Sequence, residues 1–133
     1  MICIQEEKKV REKMVLIVED DYMAFWLLSR QVCRAGGMVL WAHNGREAVE
    51  KCNEFPDIGL VFMDINMPEM DGFEATEKIK QNHGNLPIIM QTAFPYYEEK
   101  AHKAGCDMFI TKPLENGQVE ELLTKYLKNA YTK

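Results

Sequence analysis

Five short apolar runs alternate with five stretches of helical periodicity, and few folds satisfy that pattern. The runs fall at Met14–Val18, Val39–Ala42, Ile58–Met63, Pro87–Gln91 and Met108–Thr111. Each has the length of a buried strand and is bounded by turn residues. Between them lie Tyr22–Ala35, stopped by Gly36-Gly37, and a helix capped by Asn44 that runs to about Phe55. Phe73–Gln81, Pro95–Ala104 with proline in its first turn, and Gln118–Leu127 complete the set. Strands that alternate with helices of about ten residues imply right-handed crossovers and a parallel sheet covered on both faces. In such a sheet, ligands bind outside the carboxyl ends of the strands.

Those ends carry the chemistry. The third run closes on Asp64 and the first on Glu19, Asp20 and Asp21. The fourth is followed by Thr92 and the fifth by Lys112-Pro113. If the first and third strands are neighbours, Glu19, Asp20 and Asp64 crowd together, and crowded carboxylates need a compensating charge. A hard cation with oxygen ligands, Mg²⁺ above all, suits that need. Lys112 adds a flexible positive charge and Thr92 a hydroxyl donor. The set describes phosphoryl transfer, with Asp64, alone at its strand end, as the nucleophile.

Composition narrows the alternatives. The 133 residues suffice for one domain, and a net charge of −5 argues against direct nucleic-acid binding. No apolar run approaches the ~20 residues of a membrane span, nor does the start carry a signal-peptide core. The four cysteines, Cys3, Cys33, Cys52 and Cys106, are widely spaced and read as free thiols in a reducing compartment. A cytoplasmic location is expected, which includes the cytoplasmic part of a membrane-bound sensor kinase.

With these residues on the page, the segment from Lys13 to Lys128 resembles the receiver domain of two-component response regulators. The resemblance rests on Glu19-Asp20 after Val18, Asp64 within MDINMPEMDG, Thr92-Ala93 after the fourth strand, and Lys112-Pro113 after the fifth. It implies a flavodoxin-like, doubly wound (βα)5 fold with strand order 2-1-3-4-5, residues 1–12 being a lead-in and 129–133 a tail. It also implies that Asp64 accepts a phosphoryl group from phosphohistidine. Asp20 and Asp64 would bind Mg²⁺ directly, Asn66 through its backbone carbonyl and Glu19 through water. Thr92 and Lys112 would hold the phosphoryl group, Thr92 and Phe109 would form the switch, and the bond before Pro113 would be cis. The implied partner is a histidine kinase or a histidine phosphotransfer protein, with a homodimer contact through the fourth helix, fifth strand and fifth helix. A receiver of this kind is a signalling domain and not an enzyme in its own right.

Two departures from the family pattern stand out. Glu19 occupies a position where aspartate is common, and Phe109 one where tyrosine is common, so its rotamer can answer only to packing. A haloacid-dehalogenase-type phosphohydrolase also uses a strand-end aspartate, but it needs a second aspartate where this chain has Asn66. The lead-in before Met14, together with Pro87–Phe94 and Ala104–Asp107, favours a receiver fused to a hybrid kinase over a stand-alone regulator. In the first helix, Ala24, Leu27, Leu28, Gln31 or Val32, and Ala35 form the expected inward stripe. Tyr22, Phe25 and Trp26 fall on a second face, the expected docking surface for the partner.

Overall fold

The structure, a computed structural model, describes residues 14–115 and 117–131, with side chains as far as residue 127. The expected lead-in, residues 1–12, lies outside the described residues. The chain runs β1 (Met14–Val18), α1 (Tyr22–Arg34), β2 (Met38–Ala42), α2 (Gly45–Glu54), β3 (Ile58–Asp64) and α3 (Gly72–Asn82). It continues through β4 (Ile88–Thr92), a 3-10 turn at Pro95–Tyr97, α4 (Glu98–Ala104), β5 (Met108–Thr111) and α5 (Gln118–Tyr131). The five strands pair in parallel in the order β2-β1-β3-β4-β5, as expected.

Successive strand side chains point to opposite faces, so each strand feeds two cores. Leu16, Val18, Val61, Met63, Ile88 and Met90 pack on one side with residues of α2, α3 and α4. Val15, Ile17, Leu60, Phe62 and Ile89 pack on the other with α1 and α5. Each fully buried side chain of this size contributes about 1.5–3 kcal/mol, which is why the strands read as unbroken apolar runs.

Several boundaries shift for local reasons. β4 starts one residue late, because Pro87 has no N–H to give the ladder. The expected fourth helix divides into the 3-10 turn and α4. α5 continues through Tyr131, past the expected start of the tail, with a non-helical residue at Leu127 (φ −112°, ψ 17°). The expectation of four free thiols also needs correction. Cys52 and Cys106 are free and buried, whereas Cys33 is disulfide-bonded. Burial alone pushes the Cys52 thiol up to about 12, and burial followed by the Asp107 charge raises that of Cys106, so neither is primed to react.

The phase of α1 is the main correction. Its inward stripe is Phe25, Leu28, Ser29 and Val32, whereas Leu27 is 52% exposed. Phe25 is fully buried and stacks on Trp41 of β2, with centroids 4.0 Å apart and planes 7° from parallel. That stack turns the helix away from the phase that Ala24, Leu27 and Leu28 suggest. Phe25 therefore belongs to the core and leaves the expected docking face.

The turn before β5 is tied down by one ion pair. Lys80 Nζ donates to Asp107 Oδ2 at 2.7 Å and to the Leu86 carbonyl at 2.8 Å, and the same carboxylate oxygen accepts the Ile88 N–H at 2.8 Å. In α3, the Thr76 hydroxyl is buried and has no hydrogen-bond partner among the described residues. Thr76→Val keeps the branched shape and removes the orphaned group. It is expected to stabilise the domain by about 1 kcal/mol and raise Tm by a few degrees in a thermal melt. A lower Tm would mean that the hydroxyl is satisfied after all.

Candidate metal centre

β1 delivers Glu19 one residue past its end, where the Glu19 N–H still bonds the Ala42 carbonyl at 3.0 Å. The Glu19 carboxylate is buried. Its Oε1 accepts from Lys112 Nζ at 3.0 Å and its Oε2 from the Asp21 N–H at 3.3 Å. Asp20 beside it is exposed. Asp21, the third acid of the run, caps α1 by accepting the Ala24 N–H at 2.8 Å. Capping favours a carboxylate at that position.

Asp64 is the last residue of β3 and is 9% exposed. Its Oδ1 lies 3.4 Å from Lys112 Nζ, so one ammonium spans both acidic strand ends. Thr92, the last residue of β4, is buried, with Oγ1 accepting the Phe94 N–H at 3.3 Å. The Lys112 N–H donates to the Thr92 carbonyl at 2.7 Å, and the Lys112-Pro113 bond is cis. Phe109 sits half-buried in β5, opposite Met90.

One ligand oxygen from each of Glu19, Asp20 and Asp64 falls within 4.8 Å of the others. Oxygens around a single Mg²⁺ at 2.0–2.1 Å would lie about 3–4 Å apart, so small side-chain movements close the gap. The donors are hard, anionic and short of counter-charge. Burial, then the Asp64 charge, raises the Glu19 carboxyl, and burial raises that of Asp64, with Lys112 only partly offsetting either. Burial opposes the Lys112 charge, yet Asp64 and Glu19 outweigh it and hold that ammonium above the ordinary lysine value. The residues fit a divalent cation.

The loop after Asp64 is braced from two sides, which the sequence reading missed. The Gly72 N–H donates to the Ile65 carbonyl at 2.9 Å and closes the loop on itself. From α2, the Gly45 N–H reaches the Met70 carbonyl at 3.1 Å, and Arg46 pairs with Glu69 at 2.8 Å. Asn66 lies exposed near the start of this loop. The glycine at the end of MDINMPEMDG was the signal available for that closure.

Of the expected docking residues, Tyr22 is exposed, Trp26 is half-buried under the Arg30 guanidinium, and Phe25 is core. A cleft of about 290 Å³ runs between Ala24 and Leu27 of α1 and Pro113 and Leu114, and opens onto Glu19 and Lys112. A larger cavity, about 580 Å³, lies between Phe55, Asn85, Pro87 and Tyr126 at the opposite ends of the strands and carries none of these acids. Size does not locate the chemistry here.

Three acids and a lysine thus meet at the carboxyl edge of a parallel five-stranded sheet. The response regulator receiver domain matches residues 15–124, and the chain belongs to that family. It is 42% identical over 120 residues to the chemotaxis protein CheY of Thermotoga maritima, covering 87% of this chain and 98% of that one. It is 34% identical over 134 residues to the hybrid signal transduction histidine kinase L of Dictyostelium discoideum, covering 94% of this chain but only 8% of the kinase. Among solved structures it resembles the response regulator TrrA of Thermotoga maritima, crystallised with Mg²⁺-BeF, with a TM-score of 0.79 and 27% identity over 86% of this chain and 98% of that one. This is a receiver domain of two-component signalling. Among the described residues, no helix is long and apolar enough to cross a membrane.

Proposed function

We propose that Asp64 accepts a phosphoryl group from the phosphohistidine of a histidine kinase or histidine phosphotransfer protein. The observation that carries this reading is Lys112, whose ammonium reaches both Glu19 and Asp64 across two strand ends. Mg²⁺, held by Glu19, Asp20, Asp64 and the Asn66 backbone carbonyl, would neutralise charge on the transferring group. Asp64 supplies the nucleophilic oxygen, Lys112 a cation for one phosphoryl oxygen, and Thr92 a hydroxyl for another. The domain acts as a signalling module that assists its own phosphorylation and is not an enzyme for another substrate. Incubation with acetyl phosphate and Mg²⁺ followed by intact mass tests the reading. One added phosphoryl group supports it, and labelling that survives complete chelation of Mg²⁺ overturns it.

The new charge at Asp64 would draw Thr92 inward, and Phe109 would fill the space it leaves. The face made by α4, β5 and α5 then becomes the output surface, including any homodimer contact. Transfer itself needs docking. Tyr22 and Trp26 remain on the docking surface, with the exposed Met23 and Leu27 taking the place of Phe25. The cleft leading from Leu27 to Lys112 supports this. Leu27→Ser is expected to lower the ratio of partner-driven to acetyl phosphate-driven labelling about ten-fold, the worth of one apolar anchor of roughly 1.4 kcal/mol. An unchanged ratio in a phosphotransfer time course would leave that cleft without a role.

The chain is best read as the receiver of a hybrid kinase, which its likeness to the Dictyostelium discoideum kinase over 94% of its length supports. Its end-to-end match to CheY favours a stand-alone regulator as the second reading. Sequencing the reading frame around this segment separates the two.

A further inference from the structure

We infer that Trp41 is a positioning residue for the cation site. This rests on the proposed reading of that site and concerns a residue outside its acidic set. The Trp41 indole N–H donates to the Glu19 backbone carbonyl at 2.8 Å. On the other side of the same residue, the Glu19 N–H bonds the Ala42 carbonyl at 3.0 Å. Both polar groups of the Glu19 main chain are thus tied to consecutive residues of β2.

The consequence falls on Asp20. A peptide unit is planar, so fixing the Glu19 carbonyl also fixes the direction of the Asp20 N–H and limits where the Asp20 Cα can sit. Asp20 is exposed, and the hydrogen bonds found around Glu19 and Asp64 do not extend to it. Two tied peptide planes therefore restrain it: the Trp41 indole holds the one before Asp20, and the Asp21 N–H bond to Glu19 Oε2 holds the one after it. β2 is an edge strand, and an edge side chain is free to fold over the sheet's end in this way.

Trp41 is itself held. Its ring stacks on the fully buried Phe25 at 4.0 Å, lies 4.1 Å from the His43 ring and 5.8 Å from Tyr22. Lacking freedom to swing, the indole presents its N–H in one direction. Phenylalanine could keep the stack but not the donor, which makes the two roles separable.

The test compares wild type, Trp41→Phe and Trp41→Ala by isothermal titration with Mg²⁺, by thermal melting and by the amide ¹⁵N shift of Asp20. Trp41→Phe should melt only a few degrees below wild type and well above Trp41→Ala, shift the Asp20 amide and bind Mg²⁺ about five-fold more weakly, because the loosened Glu19–Asp20 peptide must be re-ordered on binding. Trp41→Ala should lose stability as well, because the stack on Phe25 goes. Wild-type Mg²⁺ affinity in Trp41→Phe would overturn the inference while leaving the site reading intact. A Trp41→Phe melt as low as that of Trp41→Ala would reduce Trp41 to a packing residue and overturn it too. Failure of the wild type to bind one Mg²⁺ would remove both the inference and the site reading.

Discussion

Asp64→Asn abolishes labelling by acetyl phosphate, while the wild type gains one phosphoryl group: this is the largest effect expected of any single change in the chain. Transfer requires a carboxylate oxygen to form the new P–O bond as the donor's own bond to phosphorus breaks, its electron pair leaving with acetate, or with the imidazole nitrogen of a phosphohistidine. An amide is a poor nucleophile and carries no charge for a cation to hold. Glu19 is buried beside Asp64, but its two oxygens are engaged by Lys112 and the Asp21 N–H, so it is not positioned to substitute. Phosphorylation of another carboxylate in Asp64→Asn, mapped by peptide mass, would refute the assignment. The same variant has a stability signature. Burial holds the Asp64 carboxyl above the usual carboxylate range, so ionising it is easier in the unfolded chain. Without metal, the native state therefore loses stability as pH climbs from the ordinary carboxylate value through the raised one. Asp64→Asn should melt above wild type at neutral pH in chelator, and that advantage should vanish in acid. Added Mg²⁺ should then raise the wild-type Tm more than that of the variant, because the ion binds the folded carboxylates.

The parallel sheet and the residues at its strand ends were legible because both follow from one-dimensional patterns, whereas the strand order rested on the family resemblance alone. Apolar runs of fixed length specify a buried parallel sheet, and a charged residue directly after such a run lands at its carboxyl edge. What the pattern could not supply was rotation and bracing. The phase of α1 depends on Trp41, a residue on another strand, whose ring recruits Phe25 inward and leaves Leu27 in solvent. Periodicity within the helix admits two neighbouring phases, since Tyr22, Phe25 and Trp26 are as apolar as the stripe through Ala24, Leu27 and Leu28. Asp21 illustrates a different blindness. Three consecutive acids look alike in sequence, but the third caps α1 and the first two turn toward the site. Lys80 and Asp107 lie 27 positions apart, and nothing local pairs them. Asn44, by contrast, was readable as a cap, because a side-chain oxygen ahead of a helix answers a purely local need: it accepts the Glu47 N–H at 2.9 Å.

Gly72→Ala should be the most damaging substitution of a residue without a functional group. A Cβ built at Gly72 would run into the Asp64 carbonyl oxygen and lie 3.0 Å from the Ile65 Cα and 3.1 Å from the Asp64 carbonyl carbon. All three are backbone atoms at the strand end that carries Asp64, and none can turn aside as a side-chain tip would. Either the first turn of α3 lifts away or the Asp64–Ile65 peptide moves by about an ångström, enough to break an ordinary contact. Lifting α3 costs the Gly72–Ile65 hydrogen bond and loosens the Asp71 cap, which accepts the Glu74 N–H at 2.9 Å. Overpacking of this kind costs up to about 3 kcal/mol, so Tm should fall by roughly 10 °C. Moving the peptide displaces the Asp64 carboxylate, and a 1 Å misplacement costs on the order of 10²-fold in rate. Gly84→Ala is the control. Its Cβ would meet only the Lys80 carbonyl oxygen at 3.6 Å, and the residue has no left-handed φ, so its Tm should match or slightly exceed wild type. If Gly72→Ala melts with the wild type and labels at the wild-type rate, the loop from Asp64 to Gly72 does not close on its own strand, and the placement of Asp64 falls with it.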